Sequence, residues 1–428
     1  MSINPNTPVL VGAAAVQQHD GADGAEAVEL MIQATLRAAN ESGTRALLRR
    51  ADVIGIPRGT WGYSDPARLV SEAIGAKPQT VLAQLGVLQQ TLLSRACVAI
   101  ADGDAEVVVV CGGEARDRSR QARRAGLKDQ ESVGPHAPPD EILVPEGDII
   151  DPLEIQRALA VPAHQYAMME NALRAADGQP LDVHAMEVAE LWASFSRVAA
   201  ANPDAWSNTP VEAEAIMTSS SDNRLIAFPY NRLHVSQWNV NQAAALIFAS
   251  AGAAADENVP RDRWVFPLTA AESNTMIPLV RRTDLHRCPG VGVAGRRALR
   301  LAGVDLDDVG YLDLYSCFPA AVRIQARELG LANDRPLTVT GGMTFAGGPL
   351  NNYVLQATVK MAELLQADGP ALGLVSSVSG MLTKQALAVW SSHLPDHVFI
   401  AADTSALTAQ RTSTRQVTAN YNGPATVA

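Results

Sequence analysis

The chain carries one order of secondary structure twice, and that repeat limits its fold more than any single motif does. In the first copy an amphipathic helix over residues 25–39, with apolar Val28, Leu30, Met31, Ala34, Leu36 and Ala38, stops near Gly43. The strand Ala51-Asp52-Val53-Ile54-Gly55-Ile56 follows. In the second copy a helix ending at Gly303 leads into Asp307-Asp308-Val309-Gly310-Tyr311. Further along the first copy, a helix over residues 87–101 turns at Asp102-Gly103 into Glu106-Val107-Val108-Val109-Val110-Cys111, a run suited to a strand buried on both faces. Its counterpart is a helix over 353–365, the turn Ala367-Asp368-Gly369-Pro370-Ala371 and the strand Leu372-Gly373-Leu374-Val375. The order is kept at a separation of about 260 residues. Two copies of one α/β unit predict two sheets related by a pseudo-twofold axis, with a site where equivalent loops meet.

An excursion separates the copies. From residue 114 to 152 the composition shifts: Arg116, Arg118, Arg120, Arg123 and Arg124 cluster, and Pro135, Pro138, Pro139, Pro145 and Pro152 follow. Helices are expected over 156–177, 182–201 and 211–217, after which 239–248 and 263–268 return to the core. The expected organisation is a first half over 1–115 completed by 235–270, an inserted helical loop domain over 116–234, and a second half over 271–392. An extension over 393–428 remains.

Composition excludes several classes of function. A net charge of -11 argues against nucleic acid as the main partner. Cys97, Cys111, Cys288 and Cys317 form no CxxC pair, and His164, His184 and His234 lack metal-like spacing, so neither a disulfide framework nor a metal site is expected. The start has no basic and apolar leader pattern. The longest apolar run, 243–255, is interrupted by Ser250 and too short for a membrane span. A cytoplasmic location is the expectation.

Four stretches carry a resemblance: Gly103-Asp104-Ala105-Glu106-Val107-Val108-Val109 with Gly112-Gly113-Glu114; Gln242-Ala243-Ala244-Ala245; Asp313 to Phe318; and Thr340-Gly341-Gly342-Met343-Thr344-Phe345-Ala346-Gly347-Gly348-Pro349-Leu350. With these in order on the repeat, residues 8–390 resemble the thiolase superfamily. The similarity is strongest to sterol-carrier-protein-type thiolases and mycobacterial-style thiolase-like proteins. The resemblance implies a five-layer αβαβα sandwich of two βαβ halves with a loop domain. It also implies an acetyl-CoA acetyltransferase-like activity on an acyl-CoA ligand, with no covalently bound cofactor. It leaves a homodimer, paired through the first-half strand near Cys111, and a monomer both open. Residues 417–427 look like the first strand of the extra C-terminal β-barrel of thiolase-like proteins, cut short.

The resemblance also maps a catalytic set that this chain lacks. The nucleophilic Cys falls at Gly86, the oxyanion-hole Asn at Tyr315, the activating His at Gly348 and the second Cys near Val378-Ser379. Ordinary thiolysis is therefore not expected. Gly86, Gly348, Val378 and Ser379, with Asn351 and Asn352 at the head of the helix over 353–365, are the candidate substrate-binding positions. Tyr315 and Ser316 are the candidate catalytic ones. Tyr315 either acts as an acid, base or hydrogen-bond donor to a thioester oxygen, or fills the space that the two glycines leave. Ser316 either faces the pocket or caps the helix that follows. The Asn pair either binds a ligand carbonyl or caps its helix. Cys97 and Cys317 read as core, and the arginine cluster either holds CoA phosphates or forms a solvated face. Three functions stay open: acyl-CoA handling around Tyr315; a retro-aldol lyase of the steroid side-chain type, whose Tyr-Asp-x-Phe is here Tyr315-Ser316-Cys317-Phe318; and a non-catalytic CoA-ester-binding or scaffold protein.

Overall fold

The run Val107-Val108-Val109-Val110 becomes the first half of a strand, Val107–Ala115, buried along its whole length. Fully burying each such side chain favours folding by about 1.5–3 kcal/mol. The chain is described by a computed structural model covering residues 3–132, 137–332, 334–367 and 372–426. Pro135, the turn residues Asp368 to Ala371 and Val427 lie outside the described residues.

The first sheet runs, edge to edge, Pro8–Gln17, Asn241–Ser250, Val107–Ala115, Val53–Pro57, Gln79–Ala83 and Glu141–Leu143. The second runs Ile400–Asp403, Phe266–Ser273, Lys384–Ser391, Leu372–Ser379 and Tyr311–Asp313. From Pro8–Gln17 and from Phe266–Ser273 the pairing sense is the same: antiparallel, antiparallel, then parallel. The repeat in the sequence is thus a repeat in topology. Helices Gln89–Asp102 and Tyr353–Ala367 each pack on strands of both sheets and form the middle layer. Ala27–Glu41 and Pro66–Ile74 cover the outer face of the first sheet, and Pro289–Ala302 with Pro319–Leu329 that of the second. The result is the five-layer αβαβα sandwich.

Some boundaries differ from expectation. Strand Phe266–Ser273 belongs to the second sheet, so a division at 270 cuts a strand of the second half. Its pairing with Lys384–Ser391 decides its membership, a long-range contact that the local pattern does not carry. The helix expected over 156–177 starts later, as Pro162–Ala176, and a separate short helix, Pro152–Gln156, precedes it; each begins on a proline, which supplies no N–H to a preceding turn. In the extension the strand is Ile400–Asp403, followed by helix Ser405–Arg411. Residues 417–426 form no strand; they are exposed and, among the described residues, pair with no strand that would supply a ladder. The strand around Cys111 is interior, between Asn241–Ser250 and Val53–Pro57, and so offers no edge for a dimer. The edge beyond Gln79–Ala83 is covered by Glu141–Leu143 from the same chain.

Gly341 is a point where backbones meet. Its φ is +98°, and an added Cβ would lie 2.3 Å from the Ala199 nitrogen. Gly75, at φ +71°, has nothing within 4 Å of the same added atom. Gly75→Ala is expected to cost about 1–2 kcal/mol from backbone strain alone. Gly341→Ala should cost more than about 3 kcal/mol, since backbone must move. Urea denaturation of the two variants checks the difference; equal costs would contradict it.

Candidate functional site

The two central helices begin side by side, and Gln89 ties their heads together. Its Oε1 accepts the Val354 N–H at 2.7 Å, and its amide hydrogen-bonds the Tyr315 hydroxyl. Tyr315 is buried and stands edge-on to Tyr353, ring centroids 5.7 Å apart. Its N–H donates to Ser376 Oγ at 2.8 Å, and its carbonyl accepts Gln325 Nε2 at 2.8 Å. Ser376 Oγ in turn donates to Gln325 Oε1 at 2.7 Å and closes the ring. Burial, with Cys317 nearby, pushes the phenol above its ordinary value, and Gln89 only partly opposes this. At neutral pH Tyr315 is a protonated donor, not a base.

Beneath it lies Asp313, fully buried. Asp313 Oδ2 accepts from Thr338 Oγ1, Val339 N, Thr340 N and Thr340 Oγ1 at 2.9–3.1 Å. Asp313 Oδ1 accepts from the Tyr353 hydroxyl at 2.9 Å. Burial raises this carboxyl above its ordinary range, and these donors work against the rise. Ser316 belongs to the same network. Its Oγ accepts the Met343 N–H at 3.0 Å and lies 3.4 Å from the Tyr353 hydroxyl. It therefore does not cap the following helix, whose N-cap is Phe318. The thiol of Cys317, half-buried, is hydrogen-bonded by Tyr166 and pushed up to about 12 by burial.

The remaining candidates take different positions. Gly86, at φ +98°, lies under Ile149 and Pro145, both within 3.0 Å of an added Cβ. Met343 lies 3.2 Å from an added Cβ at Gly348. Their space is taken by Pro145, Ile149 and Met343, rather than by Tyr315. Val378 and Ser379 end strand Leu372–Ser379, opposite Gln385 and Lys384. Gly380, Met381 and Leu382 then turn with positive φ. Asn351 and Asn352 do not cap their helix. Asn351 Nδ2 and both polar atoms of the Asn352 side chain are buried without a partner among the described residues, and Gln89 takes the Val354 N–H instead. Asn352 Oδ1 is directed at Gly112, 2.4 Å from where a Cβ there would sit. Cys97 is core, and burial raises its thiol.

Sequence reasoning missed Gln89, Tyr166, Met343 and Lys384. Lys384 is the sharpest omission. It is buried, and its Nζ donates to the Gly86 carbonyl at 3.1 Å across the two halves. Burial lowers this amine, with Glu146 opposing. One of only four lysines, within an apolar strand pattern, was a signal in the sequence. Three of the five clustered arginines are engaged within the chain: Arg118 pairs with Asp129 at 2.9 Å, Arg120 with Asp117, and Arg116 lies over Trp238.

The inserted helices are fixed to this region by a second buried cluster. Glu170 accepts from Tyr230 at 2.8 Å and meets His184 and Arg323. Burial would raise Glu170, but His184, Arg323 and Tyr230 together hold it below its ordinary value. His234, buried nearby, is lowered from 6.5 to about 4 by burial. Between those values the unfolded chain binds more protons than the folded one. Stability is therefore expected to fall as pH drops from 6.5 toward 4, by on the order of 3 kcal/mol from His234 alone. Loss of the Glu170 interactions adds to it below about 4.5. Urea midpoints across this range check it; a slope unchanged in His234→Gln would contradict the assignment.

No protein-family model matches the chain, and no curated protein matches it. Solved structures do. A monomeric SCP2-thiolase-like protein type 1 from Mycobacterium smegmatis is 31% identical, over 97% of this chain and 84% of its own, with a TM-score of 0.81. An Ltp2-ChsH2(DUF35) aldolase is 19% identical over 91% of this chain and 99% of its own, TM-score 0.66. A human mitochondrial 3-ketoacyl-CoA thiolase in complex with CoA is 18% identical over 92% and 100%, TM-score 0.62. The last two show likeness of fold alone.

Proposed function

The chain belongs to the thiolase superfamily, among the SCP2-thiolase-like proteins, and on that premise we propose that it binds an acyl-CoA thioester without carrying out thiolysis. The observation that carries this reading is the geometry around Gly86. The position that the resemblance assigns to the family's nucleophile is Gly86, roofed by Pro145 and Ile149, with its carbonyl held by Lys384. Neither Gly86 nor Gly348 can act as a nucleophile or base, and Val378 adds no thiol.

Tyr315 supports binding over retro-aldol chemistry. Its hydroxyl is a neutral donor held by Gln89, suited to a thioester oxygen and not to taking a proton. Ser316, where the aldolase-type motif has Asp, is engaged with Met343 and Tyr353 inside the fold. The thiolase in complex with CoA supports a CoA thioester as the ligand class, and with it a place in acyl-chain metabolism. The covered sheet edge and the monomeric relative support a monomer. Among the described residues no helix is long and apolar enough to cross a membrane. Four cysteines, all free, support a reducing compartment such as the cytoplasm.

The test pairs activity with binding. With acetoacetyl-CoA and CoA the protein should show no thiolysis above the uncatalysed rate, while calorimetry should detect saturable binding of acetyl- or acetoacetyl-CoA. Tyr315→Phe should weaken that binding by about threefold to tenfold, one hydrogen bond's worth. Measurable thiolysis, or no binding of either thioester, would overturn the proposal.

A further inference from the structure

A cavity of about 150 Å³ lies in the second half, apart from the Tyr315 network, between the loop 275–290, the turn at 382–383 and the C-terminal helix. One wall is Arg282, only 7% exposed. Its guanidinium donates to the carbonyls of Ile277 at 3.0 Å, Met381 at 2.7 Å and Leu382 at 3.3 Å. That employs three of its five N–H donors. Among the described residues it forms no ion pair. Glu154 acts on it only from beyond ion-pair distance, and the Glu154 oxygens are taken by the backbone N–H groups of Asp151 and Val280. A buried guanidinium without a counter-charge is costly, so the arrangement calls for an anion.

The other walls fit the same ligand. Arg411 lines the cavity and has no ion-pair or hydrogen-bond partner among the described residues. Arg287 also lines it but is matched by Glu328 at 2.7 Å. Asp284 is the one carboxylate in the lining, which leaves Arg282 and Arg411 against a single acid. Thr408 is 3% exposed, lines the cavity and leaves its Oγ1 without a partner among the described residues. Gly290, in the first turn of the helix Pro289–Ala302, keeps the wall open beside it: a Cβ there would lie 3.0 Å from Thr408 Cγ2.

We propose that this cavity is a binding site for a small oxyanion, a carboxylate or a phosphate, held by Arg282 and Arg411 with the Thr408 hydroxyl as a further donor. The site is separate from the proposed thioester contact at Tyr315 and does not rest on it. Two sources share this chemistry: a free anion, and the far carboxylate of a dicarboxylic acyl-CoA.

Calorimetry on the full chain with sodium phosphate, acetate and malonate, against sodium chloride at matched ionic strength, tests the site. At least one oxyanion should bind saturably, and Arg411→Gln and Thr408→Val should weaken it about tenfold and threefold. Arg282→Gln is unsuitable alone, because Arg282 also braces residues 277, 381 and 382. A comparison of glutaryl-CoA with butyryl-CoA separates the sources. A preference for glutaryl-CoA that Arg411→Gln erases assigns the anion to the thioester's tail. Equal affinities with retained binding of the free anion assign it to a small metabolite. No saturable binding beyond chloride for any free anion together with no glutaryl preference, or binding left within twofold by Arg411→Gln, overturns the proposal.

Discussion

A carboxylate with no exposed surface has to be satisfied from within the protein, and the satisfaction of Asp313 organises the rest of the site. Its donors come from the segment 338–340 and from Tyr353 at the head of a central helix. Removing one partner from such a network leaves a buried group unpaired at about 1–3 kcal/mol. The strand end at 313, the Gly341-Gly342 turn and the start of the helix at 353 are therefore fixed together. Tyr315, two residues on from the carboxylate, inherits its position from that frame.

The same logic joins the two halves. The first-half helix Gln89–Asp102 reaches across through Gln89 to Val354, and through Thr91 and Ser94 to Glu272, both at 2.7 Å. Lys384 returns the contact by donating to the Gly86 carbonyl. Pro145 and Ile149 close over Gly86, and Met343 lies against Gly348.

Much of the fold was legible in the sequence because the repeat is carried by strong local patterns: the valine run at 107–110 and the helix stops at Gly43 and Gly303. What was not legible depends on long-range pairing. The strand Phe266–Ser273 joins the second sheet, and Glu141–Leu143 closes the edge of the first; neither choice is written in its own residues. The candidate site divides similarly. Tyr315 was found because the resemblance sets it where the family has its oxyanion-hole Asn. Gln89 and Tyr166 were not, because a Gln in a helix and a Tyr in an inserted helix carry no periodic or motif signal until the fold brings them to the phenol and the thiol.

If the proposed function holds, the site receives a thioester and leaves it intact. The most direct measurement is a crystal structure of the full chain soaked with acetoacetyl-CoA. The account predicts an unbroken thioester with its carbonyl oxygen within about 3 Å of the Tyr315 hydroxyl. An acyl group carried covalently by Cys317 or Lys384, or a thioester oxygen bound away from Tyr315, would contradict it.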